Sequence, residues 1–520
     1  MGGAVLPSAA ARGGGRAPIA RTDLYAAGLL SLGVALTATL AAGGVAVRDA
    51  DAITLVEMAR SIAGGAGFVD AAGAPVVHWP PGYSWLISHF REPLAGAQFL
   101  NGVALAMAVY AMIVLALGAG WAPAAALGLG LTLGMGFFRV LCSVAKPDVL
   151  TYGIFLAALL AIVRHQDAGR ERAPDRWHQD AGRERVPDRW HQDAGRERAP
   201  DRWRLVATLA LAALALLPAL KLVAAVFLPA VLLGTGWWRR PRVALPPLLL
   251  WGATILVLMW WSATITGQVV APTHRPTAVL DVLAAPVILA WSIVRNVVVP
   301  WHGTLRDPLA LAFAAACVGA WLAAVVVLRS RAGDGRQGGL RRIGLAVVGL
   351  SVLLLLIRWY DPGARLLMYG LLPLLLAWIP RSRAPWVILG CITAVTGVVN
   401  ARQVDGLGAN DPEFRRIAEE MREVLSADAA LARVPVWSNA PRVLSVHGGV
   451  HTVQAPDPST LPPGALYLWI THSGSSGLDL VVPPVDGWQV PTTTRDDAPP
   501  GWRVVTRTES ALLLRRQDSP

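Results

Sequence analysis

Residues 98–119 read QFLNGVALAMAVYAMIVLALGA, an apolar run that contains no charged side chain. About 20 consecutive apolar residues are enough for a helix to cross the hydrocarbon core of a bilayer. Such runs recur along the 520-residue chain, in which 54% of residues are apolar, only 15% are charged and the mean hydropathy is +0.48. A soluble chain of this size needs more polar surface to cover its core. The sequence therefore predicts an integral membrane protein that crosses the bilayer many times.

The predicted fold is an all-α polytopic membrane domain over residues 24–400, preceded by a cytoplasmic tail at 1–23. The length criterion gives about eleven candidate spans. Pro218 divides an apolar stretch that is too long for one helix and barely long enough for two. The candidate spans lie near residues 24–47, 98–119, 121–138, 148–164, 204–219, 222–237, 243–266, 308–328, 343–359, 364–380 and 385–400.

Arginine clusters between the spans orient the domain, because cytoplasmic loops carry an excess of basic residues. With an odd number of spans, the clusters at 12–21, 239–242, 329–342 and 381–383 all face the cytoplasm. We therefore expect an inner or plasma membrane protein with a cytoplasmic N-terminus and an outer loop at 48–97. The net charge of +12 then reflects anchoring at the membrane. No basic face with interleaved aromatics indicates a nucleic-acid partner.

A tandem repeat fills residues 165–203, as HQDAGRERAPDRW, HQDAGRERVPDRW and HQDAGRERAPDRW. Acidic and basic residues balance within each copy, and Gly and Pro interrupt any helix. This pattern predicts a disordered cytoplasmic loop that tolerates expansion. Single histidines at this spacing do not favour a metal array.

The composition changes after about residue 400. EFRRIAEEMREVLSADAAL (413–431) has the periodicity of an amphipathic helix, and ALYLWI (465–470) and RVVTRTESALLLRR (503–516) are typical of strands. We expect a small C-terminal α+β domain over 401–520 on the extracytoplasmic face.

The first outer loop contains RDADAITLVEMARSIAGGAGFVDAAGAPVVHWPPGYSWL, residues 48–86. Asp49 and Asp51 directly follow the first span, where a carboxylate is costly unless water, a partner or a function retains it. An amphipathic helix is predicted over 52–63. The residues alone leave two interpretations open, an ordinary connecting loop with interfacial acids or a functional site.

The stretch from Asp51 through ARSIAGGAGF to PPGY resembles the first loop of GT-C membrane glycosyltransferases. These enzymes include protein O-mannosyltransferases (glycosyltransferase family 39), aminoarabinose transferases and bacterial lipopolysaccharide-sugar transferases. The resemblance places Asp51 at the essential aspartate of the family. Leu55 departs from the pattern, because relatives usually carry Tyr there.

The resemblance implies transfer of a sugar from a polyprenyl-phosphate donor to an acceptor hydroxyl on the outer face, with inversion. Asp51 would accept the proton of the attacking hydroxyl, and Asp49 would be a supporting acid or metal contact. The acceptor could be a lipid, a glycan or a protein. No cofactor is required, although a divalent cation stays open because related folds differ in metal dependence.

The leaving lipid phosphate needs fixed cations, and the resemblance implies candidates in two segments of the first half. SVAKPDVL contains Lys146 as a phosphate ligand and Asp148 as an acceptor-associated or metal-associated acid. Asp148 could instead simply begin a helix, where the helix dipole favours an acid. LLPALKLVAAVFLP contains Lys221, which could bind phosphate or extend to the interface.

A third segment, IRWYDPGARLLMYGLLPLLL, resembles the late arginine-containing segment of the family. Arg365 matches the family arginine, whose planar guanidinium suits phosphate oxygens, although Leu366 replaces the usual Tyr. Arg358 and Tyr360 precede it, and Arg358 could instead anchor at the interface. His78 and His302 are weaker candidates for a phosphate or sugar contact, because an isolated loop histidine is often incidental.

Two other functions stay open. A transporter or flippase of lipid-linked glycans would place ionisable residues at mid-membrane and show repeated halves, whereas the polar residues here gather at the outer ends. A non-catalytic envelope-assembly relative would keep the shape, and the departures at Leu55 and Leu366 are compatible with it.

Overall fold

The computed structural model describes a helical region and a smaller region of helix and sheet near the C-terminus. The described residues are 19–40, 50–70, 75–77, 79–135, 142, 145–170, 198–266, 340–347, 349–350, 410–428, 431, 434, 436–438, 452–454, 458, 461–470, 498–507 and 511–517.

The first region is built mainly from apolar helices. Its helices are α1 (Arg21–Leu40), α2 (Ala50–Ala63), α3 (Gly82–Ser88), α4 (Pro93–Gly118), α5 (Pro123–Met135), α6 (Asp148–Arg170), α7 (Arg198–Leu216), α8 (Phe227–Thr235) and α9 (Pro241–Thr266).

Four helices in the described part are long and apolar enough to cross a membrane, namely Arg21–Thr39, Pro93–Gly118, Asp148–Gln166 and Pro241–Ile265. Each coincides with a predicted span. Helix α5 and the apolar segments Arg204–Ala219 and Ala224–Thr235 are shorter. The predicted spans from 308 onwards lie wholly or largely outside the described residues. A multi-pass membrane protein is therefore supported, while the number of eleven spans stays a prediction.

Helix α4 packs against α1, α5 and α6, and α6 packs against α7. Small residues allow these helices to approach closely. A Cβ on Gly153 of α6 would lie 2.5 Å from the carbonyl oxygen of Ala104 in α4. Such close backbone approach is a main source of helix association in lipid, where apolar burial drives little.

Pro218 breaks the apolar stretch between α7 and α8. The 3-10 turns Leu217–Ala219 and Leu222–Val226 replace the α-helix, and Lys221 between them is extended at φ −153° and ψ 116°. The indole Nε1 of Trp251 in α9 donates to the carbonyl of Ala225 at 3.0 Å. A proline break leaves backbone polar groups without partners inside the helix, and contacts of this kind with a neighbouring helix satisfy them.

The ends of the repeat segment differ from the predicted loop. Helix α6 continues to Arg170 and α7 begins at Arg198, so residues 165–170 and 198–203 are helical. Extending an existing helix adds a hydrogen bond for each residue fixed, which outweighs the weak helix preference of these residues. Residues 171–197 lie outside the described part.

The C-terminal region contains α10 (Asn410–Ala427) and a five-stranded sheet. The strands are β1 (Val436–Ser438), β2 (Thr452–Gln454), β3 (Leu466–Ile470), β4 (Trp502–Arg507) and β5 (Ala511–Arg516), in the order β2-β1-β3-β5-β4. The first three strands run parallel, and β5 is antiparallel to β3 and β4. The predicted amphipathic helix and strands are thus present, while the position of this region outside the membrane stays a prediction.

Candidate functional site

A buried ion pair joins the beginning of α6 to the break after α7. The Lys221 Nζ donates to Oδ1 of Asp148, and the two side chains are 10% and 3% exposed. Asp148 is the first residue of α6, so it lies near the positive end of that helix as well as facing a cation. Lys221 is buried rather than extended towards an interface. Sequence analysis named both residues but did not predict that they pair.

Lys146 lies two residues before Asp148 and is 7% exposed. It therefore joins the pair among the buried charged residues at this end of the bundle. Charges are costly away from water, so buried ions in membrane proteins mark functional sites or are held by partners.

The segment predicted to be the first outer loop contacts the break that contains Lys221, because a Cβ on Gly82 would lie 2.5 Å from the carbonyl oxygen of Ala219. Helix α2 begins at Ala50, so Asp51 lies in its first turn, and the placement of the Asp51 side chain is outside the described residues. Leu55, which stands where relatives carry Tyr, is buried in the core. Arg60 of the ARSIAGG stretch donates to Oε1 of Glu92 at 3.0 Å, and this pair is largely exposed.

Helix α3 carries the last residues of PPGYS and contacts three neighbouring segments. The hydroxyl of Tyr83 donates to Oδ1 of Asn101 at 3.4 Å, and Nδ2 of Asn101 donates to the carbonyl of Cys142 at 3.2 Å. The hydroxyl of Ser84 donates to the carbonyl of Leu55 at 2.8 Å. Tyr83, Ser84 and Asn101 are fully buried.

The phenol of Tyr83 lies close to the ion pair. Burial raises its pKa above the usual range, and the nearby Cys142 thiol and Asp148 carboxylate raise the pKa further. The hydroxyl therefore stays protonated and able to donate. Burial likewise raises the pKa of the Cys142 thiol to about 12.

An open apolar groove of about 400 Å³ runs between the first loop, the break and α9. Phe68 packs edge-on against Trp261 of α9, with ring centroids 5.7 Å apart, and so connects the loop to this helix. Ala219 ends the first 3-10 turn, two residues before Lys221. The groove lining includes Phe68, Gly82, Trp85, Ala219, Thr254 and Val257.

Several predicted site residues are not tested by this geometry. Asp49, His78, His302, Arg358, Tyr360 and Arg365 all lie outside the described residues. Among the residues that are described, no group of three or more His, Cys, Asp and Glu side chains is placed to hold a metal ion.

Sequence analysis missed Asn101, Tyr83 and Ser84 as members of the site. An amide inside an otherwise apolar span was the available signal for Asn101, because buried polar groups in membrane helices are costly. PPGY was used only for its resemblance, although its tyrosine and the following serine contact the other segments.

No family model and no curated protein match the chain. Among solved structures, the chain is similar to apo ArnT from Cupriavidus metallidurans with a TM-score of 0.43 and 14% identity, over 94% of this chain and 97% of ArnT. It is also similar to ArnT from the same organism bound to undecaprenyl phosphate, with a TM-score of 0.41, 13% identity and the same coverage. ArnT is a GT-C aminoarabinose transferase, one of the enzymes whose first loop the stretch from Asp51 to Tyr83 resembles.

Proposed function

We propose that the chain is a membrane glycosyltransferase of the GT-C class that uses a polyprenyl-phosphate sugar as donor. The observation that carries the proposal is the buried Asp148–Lys221 pair. Ala219, two residues before Lys221, lines the apolar groove and is approached closely by Gly82. The acceptor is a hydroxyl on the outer face. The resemblance of the first loop to GT-C enzymes supports the reaction class.

The pair offers a reason for two charges to be kept inside a membrane protein. Replacing a buried ion pair by apolar residues is often neutral or stabilising, so stability alone gives little reason to retain one. A lysine beside a carboxylate can give up part of that interaction and bind an arriving phosphate instead. We infer that Lys221 and Lys146 contribute positive charge at the donor phosphate, together with Arg365 and Arg358.

The apolar groove is the second observation that favours a lipid donor. Its lining is apolar, and it passes Ala219 close to Lys221, so a lipid chain in the groove would bring its phosphate towards the buried charges. A polyprenyl chain is apolar along its length, so it can pass from the surrounding lipid into this groove without burying a polar group. The groove is open, which would let a chain longer than the groove continue into the surrounding lipid.

The chemical step replaces one bond by another at the anomeric carbon. The acceptor oxygen bonds to that carbon from the face opposite the phosphate, which inverts its configuration. The bond to the phosphate oxygen breaks, and its electron pair leaves with the polyprenyl phosphate. Asp51 accepts the acceptor proton, with Asp49 in support and with Asp148, His78 and Tyr360 near the acceptor or a metal. Fixed cations stabilise the leaving charge.

The decisive experiment measures turnover of labelled polyprenyl-phosphate sugars by purified protein with an envelope-lipid acceptor extract. Wild type is compared with Asp51→Asn and with Ser88→Ala, whose hydroxyl bonds only to Trp85 in its own helix. We expect turnover in wild type and Ser88→Ala, and none in Asp51→Asn. Full turnover by Asp51→Asn would refute the base. Absence of turnover in folded wild type, with an extract that serves a control transferase, would favour a flippase or an assembly protein.

A further inference from the structure

Residues 82–84, the GYS tripeptide, contact each of three segments that carry candidate site residues. Gly82 packs on the break that contains Lys221, Tyr83 connects through Asn101 to the segment before Asp148, and Ser84 bonds to the helix that begins beside Asp51. We propose that the GYS tripeptide is the positioning element of the site, which sets these three segments at fixed distances from one another. The part of this proposal that concerns catalysis rests on the proposed function.

The contact of Gly82 is a close approach between backbones. A Cβ at this position would lie 2.5 Å from the carbonyl oxygen of Ala219 and 2.9 Å from its carbonyl carbon. Real Cβ atoms do not approach backbone atoms so closely, so either α3 or the break would have to move. Glycine therefore allows α3 to rest directly on the turn that precedes Lys221.

The contact of Tyr83 passes through a buried amide. Asn101 accepts from the Tyr83 hydroxyl and donates to the Cys142 carbonyl, so α3, α4 and the segment before α6 form one hydrogen-bonded chain. An amide in a membrane helix is costly unless it is satisfied, and both of its polar atoms have partners here. Cys142 lies six residues before Asp148, so the hydrogen-bonded chain reaches a residue that is close in sequence to the ion pair.

The contact of Ser84 fixes the third segment. Its hydroxyl donates at 2.8 Å to the Leu55 carbonyl, four residues after Asp51 on α2. Pro81 precedes the tripeptide, and its ring fixes φ at −73° where the short helix begins. Helix α3 thus has a defined start, and successive residues along it meet three different neighbours.

Cys142 supplies a readout that does not depend on turnover. Its thiol is 2% exposed, so N-ethylmaleimide should alkylate it slowly in the wild type. Peptide mapping measures alkylation of Cys142 separately from alkylation of Cys317 and Cys391. We expect Tyr83→Phe, which keeps the ring and removes only the hydroxyl, to raise the alkylation rate about tenfold by releasing the segment. The double variant Tyr83→Phe/Asn101→Ala should be alkylated at the same rate as Asn101→Ala alone, because both substitutions break the same chain of hydrogen bonds.

Matched controls separate positioning from general loosening. Ser84→Ala removes a bond between elements, whereas Ser88→Ala removes a bond within α3. Neither should change alkylation of Cys142. Gly82→Ala is paired with Gly33→Ala in α1, where an added Cβ meets nothing within 4 Å.

Turnover completes the test. Tyr83→Phe and Ser84→Ala should each lower kcat by about tenfold to a hundredfold with little change in KM for the donor, because misplaced reacting groups slow the reaction without weakening binding of the lipid chain. Gly82→Ala should also lower kcat, but Gly82 lines the groove, so KM for the donor is no test of this variant. The control variants should retain wild-type kcat.

Three outcomes decide between the possibilities. Wild-type alkylation of Cys142 in Tyr83→Phe, or equal kcat losses in Ser84→Ala and Ser88→Ala, would overturn the positioning role. Faster alkylation together with selective kcat losses would support it. Faster alkylation in a protein whose wild type has no turnover would overturn the transferase while supporting the hydrogen-bonded chain to Cys142.

Discussion

Removing one charge of the Asp148–Lys221 pair should cost much more stability than removing both. With side chains 3% and 10% exposed, a charge left behind has little water to solvate it. Asp148→Asn and Lys221→Met should therefore each lower the free energy of unfolding by about 3–5 kcal/mol. The apolar double variant Asp148→Leu/Lys221→Met removes both charges of the pair and leaves neither of them buried without the other, so its stability should lie near wild type or above it.

The exposed pair between Arg60 and Glu92 is the matched control. Its side chains are 35% and 52% exposed, so water solvates either charge when the other is removed. Glu92→Gln keeps the oxygen that accepts from the Leu94 amide and should cost less than about 1 kcal/mol. Denaturation by heat and by SDS in micelles, read by circular dichroism, measures all variants.

Turnover of the same variants separates stability from function. The proposed function requires that the apolar double variant be folded and yet transfer no sugar, because Lys221 no longer contributes charge at the donor phosphate. A stable double variant with wild-type turnover would refute a catalytic role of the pair. Single variants that lose less than about 1 kcal/mol would refute the burial argument itself.

Further predictions follow from other parts of the chain. Asp51→Asn should abolish transfer with nearly unchanged membrane insertion, measured by labelled-sugar turnover and by yield in the membrane fraction. Shortening 165–203 to one repeat copy should leave turnover unchanged, because the site lies at the opposite ends of α6 and α7; a large loss would contradict that separation. Val257→Trp, which fills the groove, should raise KM for long-chain donors and leave KM for short-chain analogues unchanged. Gly153→Ala adds a Cβ 2.5 Å from an α4 carbonyl and should lower thermal stability, whereas Gly28→Ala, with open space around it, should not.

Local patterns in the sequence predicted most of the described elements. The apolar runs predicted α1, α4, α6 and α9, and apolar periodicity predicted α2 and α10. Pro218 marked the break because proline cannot donate to the helix and its ring clashes with the preceding turn. Each of these features depends on residues that are close in the sequence.

The ion pair could not be predicted in the same way. Asp148 and Lys221 are 73 residues apart, with the repeat segment between them, and only the packing of α6 against α7 brings them together. The contacts of the GYS tripeptide also join different elements, although Tyr83 and Ser84 lie only 18 and 29 residues from their partners. Resemblance named Lys221 and Asp148 as separate candidates, but it gave no partner to either and no role to Asn101.

The position of the buried charges within the helices bears on the choice between an enzyme and a transporter. Asp148 begins α6 and Lys221 follows α7, so the pair lies at helix ends rather than halfway along a span. A carrier must expose its ionisable groups alternately to both sides, which favours the midplane. A transferase must instead keep its charges where a lipid phosphate lies, beside the apolar chain and close to water for the acceptor. The pair at the start of α6, the apolar groove that reaches Ala219, and Gly82 resting on Ala219 are compatible with these requirements, which is why we favour transfer over transport.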